Sequence, residues 1–271
     1  AWKDSALNAI HGGPLRDPED FYTDAEVRRL YHQRVRYLVA RWGSHPALLA
    51  WELFGEANLM PGCDFGGPVP ESCVAWHRDL EQRIRDLDHG RHLVFTHCHN
   101  WQAGHELWKL DGIDCVQGNG YIRPPNTSSD HVVNFDRYLA EVAHYRKPVL
   151  VAEFGGRSEL GAPSEDYLVG QLHSGIWASF VRPFAGAALH WWWNLVDGRD
   201  LYPHYAGLAR FAQGIDRLER DFRPVRLGVS GALLHAAGMQ DDGGGFYWIY
   251  DPRLFVAWDD LTPLSGGTLH L

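Results

Sequence analysis

The chain has 271 residues, enough for one sizeable core or for a domain with part of a second. Its formal charge of -9 and pI near 5.9 come without a basic stripe, which excludes nucleic acid as a default partner. No run of eighteen apolar residues occurs, so the sequence offers no membrane span.

In chain order, "TDAEVRRLYHQRVRYLVARWG" reads as a helix. Thr23 and Glu26 have capping-box spacing, Val27, Leu30, Val35, Leu38, Val39 and Trp42 form one apolar side, and Gly43 ends it. The strand-like "ALLAWELF" follows. Next comes the loop "CDFGGPVPESC", where the spacing of Cys63 and Cys73 permits a local disulfide. Cys98 and Cys115 lie in apolar runs and read as small packed hydrophobes.

Four further strand candidates recur between helical patterns. Trp76, Leu80, Ile84 and Leu87 mark a helix face before "HLVFTHCH", and a short helical piece from Glu106 to Leu110 precedes "IDCVQGNGY". The segment from His131 to Arg146 leads into "PVLVAEF". Ser164 caps a helix running to Phe180, ahead of "AGAALHWWWNLV", and residues Tyr205 to Leu218 read as helical. Short apolar strands alternating with helices predict a parallel sheet covered on both sides. Glu, His, Asn and Trp at the strand ends favour a (β/α) barrel over an open doubly wound sheet, and no glycine-rich nucleotide fingerprint follows the first strand.

Five strand units fill residues 48–193, and no convincing strand precedes them. The expectation is a partial (β/α)8 TIM barrel over residues 1–222. A second chain or a missing N-terminal segment would then complete it, because otherwise strand edges are left unpaired. Residues 223–271 carry short aromatic and β-branched runs split by Gly, Asp-Pro and Pro, and read as the beginning of a C-terminal β domain.

Two acids stand at strand ends: Glu56 after "LLAWELFG" and Glu153 in "KPVLVAEFGG". A retaining glycosidase needs one carboxyl to protonate the leaving oxygen and a second to attack the sugar carbon, about 5–5.5 Å away. Glu56 is the candidate acid/base and Glu153 the candidate nucleophile; each taken singly would serve equally well in an ion pair. Glu52 lies about 13 Å from Glu56 along an extended strand and reads as a structural ion-pair group. Twelve Trp and eleven Tyr suit both cores and sugar-stacking surfaces. His190 reads as a satisfied core histidine, His204 and Tyr205 as helix packing, and Asp197 as a solvated turn.

The segments "RYLVARWGSHPALLAWELFGEANL", "IDCVQGNGYI", "PVLVAEFGG" and "ALHWWWNLV" resemble the later part of glycoside hydrolase family 5 and its relatives in the retaining (β/α)8-barrel clan. The resemblance runs from Ala1 to Arg217 and implies that the strands are the fourth to eighth of a barrel. It implies that Glu56 is the acid/base, that Glu153 is the nucleophile, and that a ring of Trp191, Trp192 or Trp193 forms a sugar platform. It also implies that Tyr121 contacts the nucleophile, and it calls for no cofactor or metal.

Two positions depart from that pattern. Gly55 stands where the family has an Asn that contacts the sugar 2-hydroxyl, and Asn119 stands where it has the His of a His-x-Tyr pattern. Asn119 hydrogen-bonds but cannot do a histidine's proton chemistry. Asn119, Tyr121, Trp101 and the Trp191–Trp193 run are the candidate substrate contacts.

The leading expectation is a secreted or periplasmic retaining β-glycosidase, metal-independent, acting on a β-linked polysaccharide or oligosaccharide. One alternative is a carbohydrate-binding protein with an impaired cleft. Another is a metal hydrolase, because "THCHN" sets His97 and His99 on one strand side as a pair of imidazole ligands.

Overall fold

The computed structural model describes residues 2–63, 67–89, 91–122, 130–156, 164–231, 233–255, 264 and 266–270. The chain divides into two compact units, one of residues 1–119 and 142–148, the other of residues 120–141 and 149–271.

In the first unit, helix α1 (Ala25–Trp42) starts at Asp24, whose carboxylate accepts the Val27 amide at 2.8 Å. The expected Thr23–Glu26 capping box is therefore not formed. Thr23 instead donates its hydroxyl to Asp20 O and closes the preceding 3-10 turn, while Glu26 pairs with Arg29. Asp is at least as good a cap as Thr, and here it is one residue closer to the first turn. Helix α2 (Glu71–Asp88) packs on α1 and buries Trp76, Leu80 and Ile84.

Strand β1 (Ala50–Glu52) runs parallel to β2 (Leu93–Phe95), with Ala50 opposite Leu93 and Glu52 opposite Phe95. After Thr96, β3 (His97–Cys98) runs parallel to β4 (Val116–Asn119), with His97 opposite Gln117. The 93–98 run therefore serves β1 with its first half and β4 with its second. The short helix α3 (His105–Trp108) joins β3 to β4. All four residues of β4 are buried, as a strand covered on both faces requires.

Under β1 lies an aromatic cluster. Phe21 meets Tyr22, Tyr31 and Phe54 edge-on at 5.1 to 5.6 Å, and Trp76 lies 5.8 Å from Phe54. Each such pair contributes about 0.5–1.5 kcal/mol beyond area burial. The four cysteines are free thiols, so the Cys63–Cys73 disulfide is absent. Cys63 Sγ points at Ala57 O, and Cys73 is buried beside the His77 ring. Cys98 and Cys115 are buried as expected.

The second unit contains α4 (His131–Val142), β5 (Val149–Glu153) and α5 (Glu165–Phe180). Ser164 caps α5 by accepting the Tyr167 amide, as its sequence predicts. The expected eighth strand is not a regular strand. Residues 185–191 follow β5 through Ala185 N to Val149 O, Leu189 N to Val151 O and Trp191 N to Phe154 O, with one parallel bridge between Phe154 and His190. Gly155, at φ 151°, takes the chain out of register after Phe154, so the residues beyond Trp191 lose their partner. Trp193 then opens α6 (Trp193–Gly198) instead of extending the strand. Helix α7 (Tyr202–Ala212) ends short of the expected Leu218, because Gln213 turns extended at φ -60°, ψ 126° and Gly214 follows left-handed at φ 81°, closing a turn from Ile215 N to Ala212 O.

Beyond these segments lies an antiparallel sheet in the order β8-β7-β6-β9, formed by β6 (Arg223–Ser230), β7 (His235–Asp241), β8 (Gly244–Tyr250) and β9 (Thr268–His270). Residues 256–263 of the expected β region lie outside the described residues. Arg182, only 1% exposed, ties this sheet to the helical part of its unit. Its guanidinium pairs with Asp136 of α4 and donates to Val225 O and Gly238 O. Tyr250 OH donates to Asp130, just before α4, at 2.9 Å.

The parallel β/α segments are those of a partial (β/α)8 barrel, followed by a C-terminal antiparallel sheet. Among the described residues, no helix is long and apolar enough to cross a membrane.

Candidate active site

Two groups of functional side chains sit at strand ends, one in each unit. The first is built around Glu56. The ladder between β1 and β2 continues past Glu52 through Leu53 N to Phe95 O and His97 N to Phe54 O, and the chain then turns sharply. Glu56 takes up the left-handed conformation at φ 54°, ψ 51° and starts the 3-10 turn Ala57–Leu59. That conformation costs a residue with a Cβ about 1–2 kcal/mol. Fixed neighbours hold it. Tyr22 OH donates to Ala57 O at 2.9 Å, and Asn58 Oδ1 accepts the His99 amide at 2.7 Å.

The Glu56 carboxylate receives two donors on one oxygen. Asn119 Nδ2 donates to Oε1 at 2.8 Å, and His99 Nδ1 lies 2.8 Å from the same atom. The carboxyl is held below its ordinary range, chiefly by the hydrogen bond from His99, against the opposing effect of partial burial. The charges of His99 and His97 and the Asn119 amide act in the same direction as the His99 bond. Asn119 is itself braced from below, since Trp101 Nε1 donates to its carbonyl at 3.0 Å.

One step back along β1, Glu52 Oε1 lies 2.7 Å from His97 Nδ1. A side chain at residue 55 would begin in contact with this histidine, because a Cβ built on Gly55 lies 3.4 Å from His97 Cε1. The space of the amide missing at Gly55 is thus bordered by an imidazole.

The second group surrounds Glu153 at the end of β5. Tyr121 OH donates to Glu153 Oε2 at 2.9 Å, and Gly120 N donates to Glu153 O at 2.7 Å. Just beyond, a Cβ on Gly155 would lie 3.0 Å from Trp192 Cδ1, so Trp192 stands against the strand end that carries Glu153. Trp192 also lines a cavity with Glu165, Asn194 and Arg199.

The placements of the remaining candidates follow from these two groups. Trp101 is 1% exposed and supports Asn119 from within the core, so it presents no open face to a sugar. Trp193 is 70% exposed and Trp191 is 49% exposed, with both rings open to solvent, while Trp192 is half-buried. His97 and His99, the alternative metal pair, each face a different carboxylate. His190 is buried edge-on against Phe154, and among the described residues neither of its ring nitrogens has a hydrogen-bond partner, which differs from a satisfied core histidine. Burial pushes it down to about 4. His204 Nδ1 lies 3.1 Å from His173 Nδ1, and Asp197 accepts from Tyr202 OH.

The residue that sequence reasoning missed is His99 as the partner of Glu56. The i, i+2 spacing of His97 and His99 was visible, but the interstrand register that sets each ring against an acid was not.

No family model matches the chain. Mannan endo-1,4-beta-mannosidase 7 of Arabidopsis thaliana is 24% identical over 234 residues, which cover 73% of this chain and 53% of that protein. The probable mannan endo-1,4-beta-mannosidase A of Aspergillus clavatus is 32% identical over 95 residues, 34% of this chain and 24% of that protein. Among solved structures, the endo-beta-1,4-mannanase from Thermotoga petrophila superposes with a TM-score of 0.50 at 16% identity, over 88% of this chain and 62% of the other. A Bacteroides uniformis beta-glucuronidase gives 0.54 at 14% identity, over 84% and 37%. The chain has a distant, partial glycosidase-like fold, and it spans about half the length of the Arabidopsis protein.

Proposed function

We propose that this chain is the catalytic part of a retaining β-glycosidase, in or near glycoside hydrolase family 5, with Glu56 as acid/base and Glu153 as nucleophile. The observation that carries the reading is the stretch Asn119-Gly120-Tyr121. Asn119 holds the carboxylate of Glu56 and Tyr121 holds that of Glu153, with a single glycine between them. Two residues so linked have Cα atoms no more than roughly 7 Å apart. The reading requires both acids to reach one sugar carbon.

Glu153 attacks the anomeric carbon while Glu56 protonates the leaving oxygen. Glu56 then takes a proton from water, which displaces the enzyme carboxylate. Tyr121 orients Glu153 through the hydrogen bond it donates to Oε2, and Trp192 offers an aromatic wall beside it. The curated relatives make β-1,4-mannan the first substrate to test. On this reading the leading barrel strands come from a preceding segment or a second chain. In support, β1 pairs only with β2 among the described residues. We propose with it the secreted or periplasmic location expected of an enzyme that meets a polysaccharide.

The test uses the protein expressed from its complete reading frame, assayed on β-mannan and on aryl β-glycosides beside Glu56→Gln and Glu153→Gln. Loss of turnover in both variants and labelling of Glu153 by a 2-fluoro sugar support the reading. Full activity in either variant, or labelling elsewhere, overturns it. Sugar binding without turnover would favour the carbohydrate-binding alternative.

A further inference from the structure

A double-displacement acid/base must carry a proton toward the leaving oxygen in one step and remove one from water in the next. Both tasks need a carboxyl oxygen not already engaged by the protein. At Glu56 the division is asymmetric. Oε1 accepts from Asn119 Nδ2 and from His99 Nδ1, each at 2.8 Å, whereas Oε2 has no hydrogen bond among the described residues. In the protonated acid, Oε1 remains a carbonyl-type acceptor and still takes both donors, so the same geometry suits both charge states of Glu56.

The His99 ring is itself fixed. Its backbone amide is bound by Asn58, within the same turn that Glu56 opens, and its side chain is only 12% exposed. The sequence resemblance leads one to expect an imidazole at position 119, where this chain has an amide. The structure brings an imidazole to Glu56 from β3's end instead.

Resting on the reading of Glu56 as acid/base, we infer that His99 is a positioning residue for that group. With Asn119 it anchors Oε1 and leaves Oε2 as the oxygen that carries the proton. In the first step the Oε2–H bond breaks as the leaving oxygen gains that proton. The glycosidic C–O bond breaks with its electron pair going to the leaving oxygen, and a Glu153 oxygen bonds to the anomeric carbon. In the second step Oε2 takes the proton of the attacking water, and the bond to Glu153 breaks. The other titratable groups facing this pair in its unit are His97, bound to Glu52, and the buried thiol of Cys98. Neither hydrogen-bonds Glu56 among the described residues. The depressed carboxyl of Glu56, caused first by the His99 bond, agrees with this anchoring.

The test measures kcat/KM for a series of aryl β-glycosides running from activated to unactivated phenols, with pH profiles, for the wild-type protein, His99→Leu and His99→Asn. A hydrogen bond to a charged group corresponds to roughly a tenfold to hundredfold effect. His99→Leu is expected to lose that factor on unactivated substrates and far less on dinitrophenyl glycosides, whose leaving groups need no proton. Its basic limb should move to higher pH, because a donor that favours the charged carboxyl is gone. His99→Asn, which keeps an N–H near the Nδ1 position, should recover most of the loss. An unchanged leaving-group dependence and pH limb in His99→Leu, or equal losses in the Leu and Asn variants, overturns the role of His99 and leaves the two-glutamate reading standing. A wild-type protein with no turnover and no fluoro-sugar labelling of Glu153 overturns that reading, and the inference with it.

Discussion

Tyr22 donates its hydroxyl to the carbonyl of Ala57 across 2.9 Å, so a residue in a 3-10 turn ahead of α1 fixes the backbone directly after Glu56. Both partners are buried. Tyr22→Phe keeps the ring's place in the aromatic cluster but leaves the Ala57 carbonyl without this donor. The expected loss is about 1–3 kcal/mol of stability, read from the denaturant midpoint. A drop in kcat with little change in KM should accompany it, because the turn that aims Glu56 loosens while the sugar contacts stay.

Tyr121→Phe removes the hydroxyl that donates to Glu153 Oε2. On the two-glutamate reading Glu153 remains as nucleophile, less well oriented. Trapping by a 2-fluoro sugar should slow by roughly ten- to a hundredfold while still labelling Glu153. Labelling at the wild-type rate would remove Tyr121 from the site.

Acid should destabilise the fold through its buried imidazoles. His77 binds Cys73 O and Thr96, and His131 binds Gln171; burial pushes both down to about 4 from the ordinary 6.5. Between those values the unfolded chain binds protons that the folded chain does not, so stability falls as pH falls. Each residue contributes a slope of about 1.4 kcal/mol per pH unit in that window. Urea midpoints measured from pH 7 to 4 should show the decline, and His77→Gln should flatten it. A pH-independent midpoint across this range would rule the mechanism out.

Arg182→Met should be among the most damaging changes in the second unit. It removes the donor to Val225 O and Gly238 O and deprives Asp136 of one of its two arginines, leaving Arg226. Asp136 is partly exposed and keeps Arg226, so the main cost is that of the buried carbonyls left without their donor, about 1–3 kcal/mol each. Thermal unfolding of this variant beside Arg226→Met, whose guanidinium is largely exposed, separates the buried contribution from the surface one; equal shifts would contradict it.

Much of the barrel portion could be read from the residues because local chemistry and global placement agree there. Ser164 caps α5 as a short hydroxyl before a helical pattern should, and the apolar runs around Ala50, Val116 and Val149 are strands. Where neighbours competed, the sequence was ambiguous: Thr23 and Asp24 are both good caps, and only the turn behind Thr23 decides between them. Trp191-Trp192-Trp193 reads as strand by composition, yet the chain leaves the ladder at Gly155, a backbone event with no periodic signature. The site divides along the same line. Glu56 and Glu153 could be found at strand ends, whereas the choice of His99 over His97 as partner to Glu56 depends on interstrand register. Trp101 shows a second limit, because an indole that braces a strand end from the core and one that stacks on a sugar are the same letter.

The left-handed backbone at residue 56 bears on how such a protein could drift. Glycine adopts that geometry without steric penalty, so Glu56→Gly would relieve strain while deleting the carboxyl. A lineage selected only for a durable scaffold would be pulled toward the smaller residue. A glutamate there opposes the chain's own conformational preference and, on the reading of Glu56 as acid/base, trades robustness for chemistry.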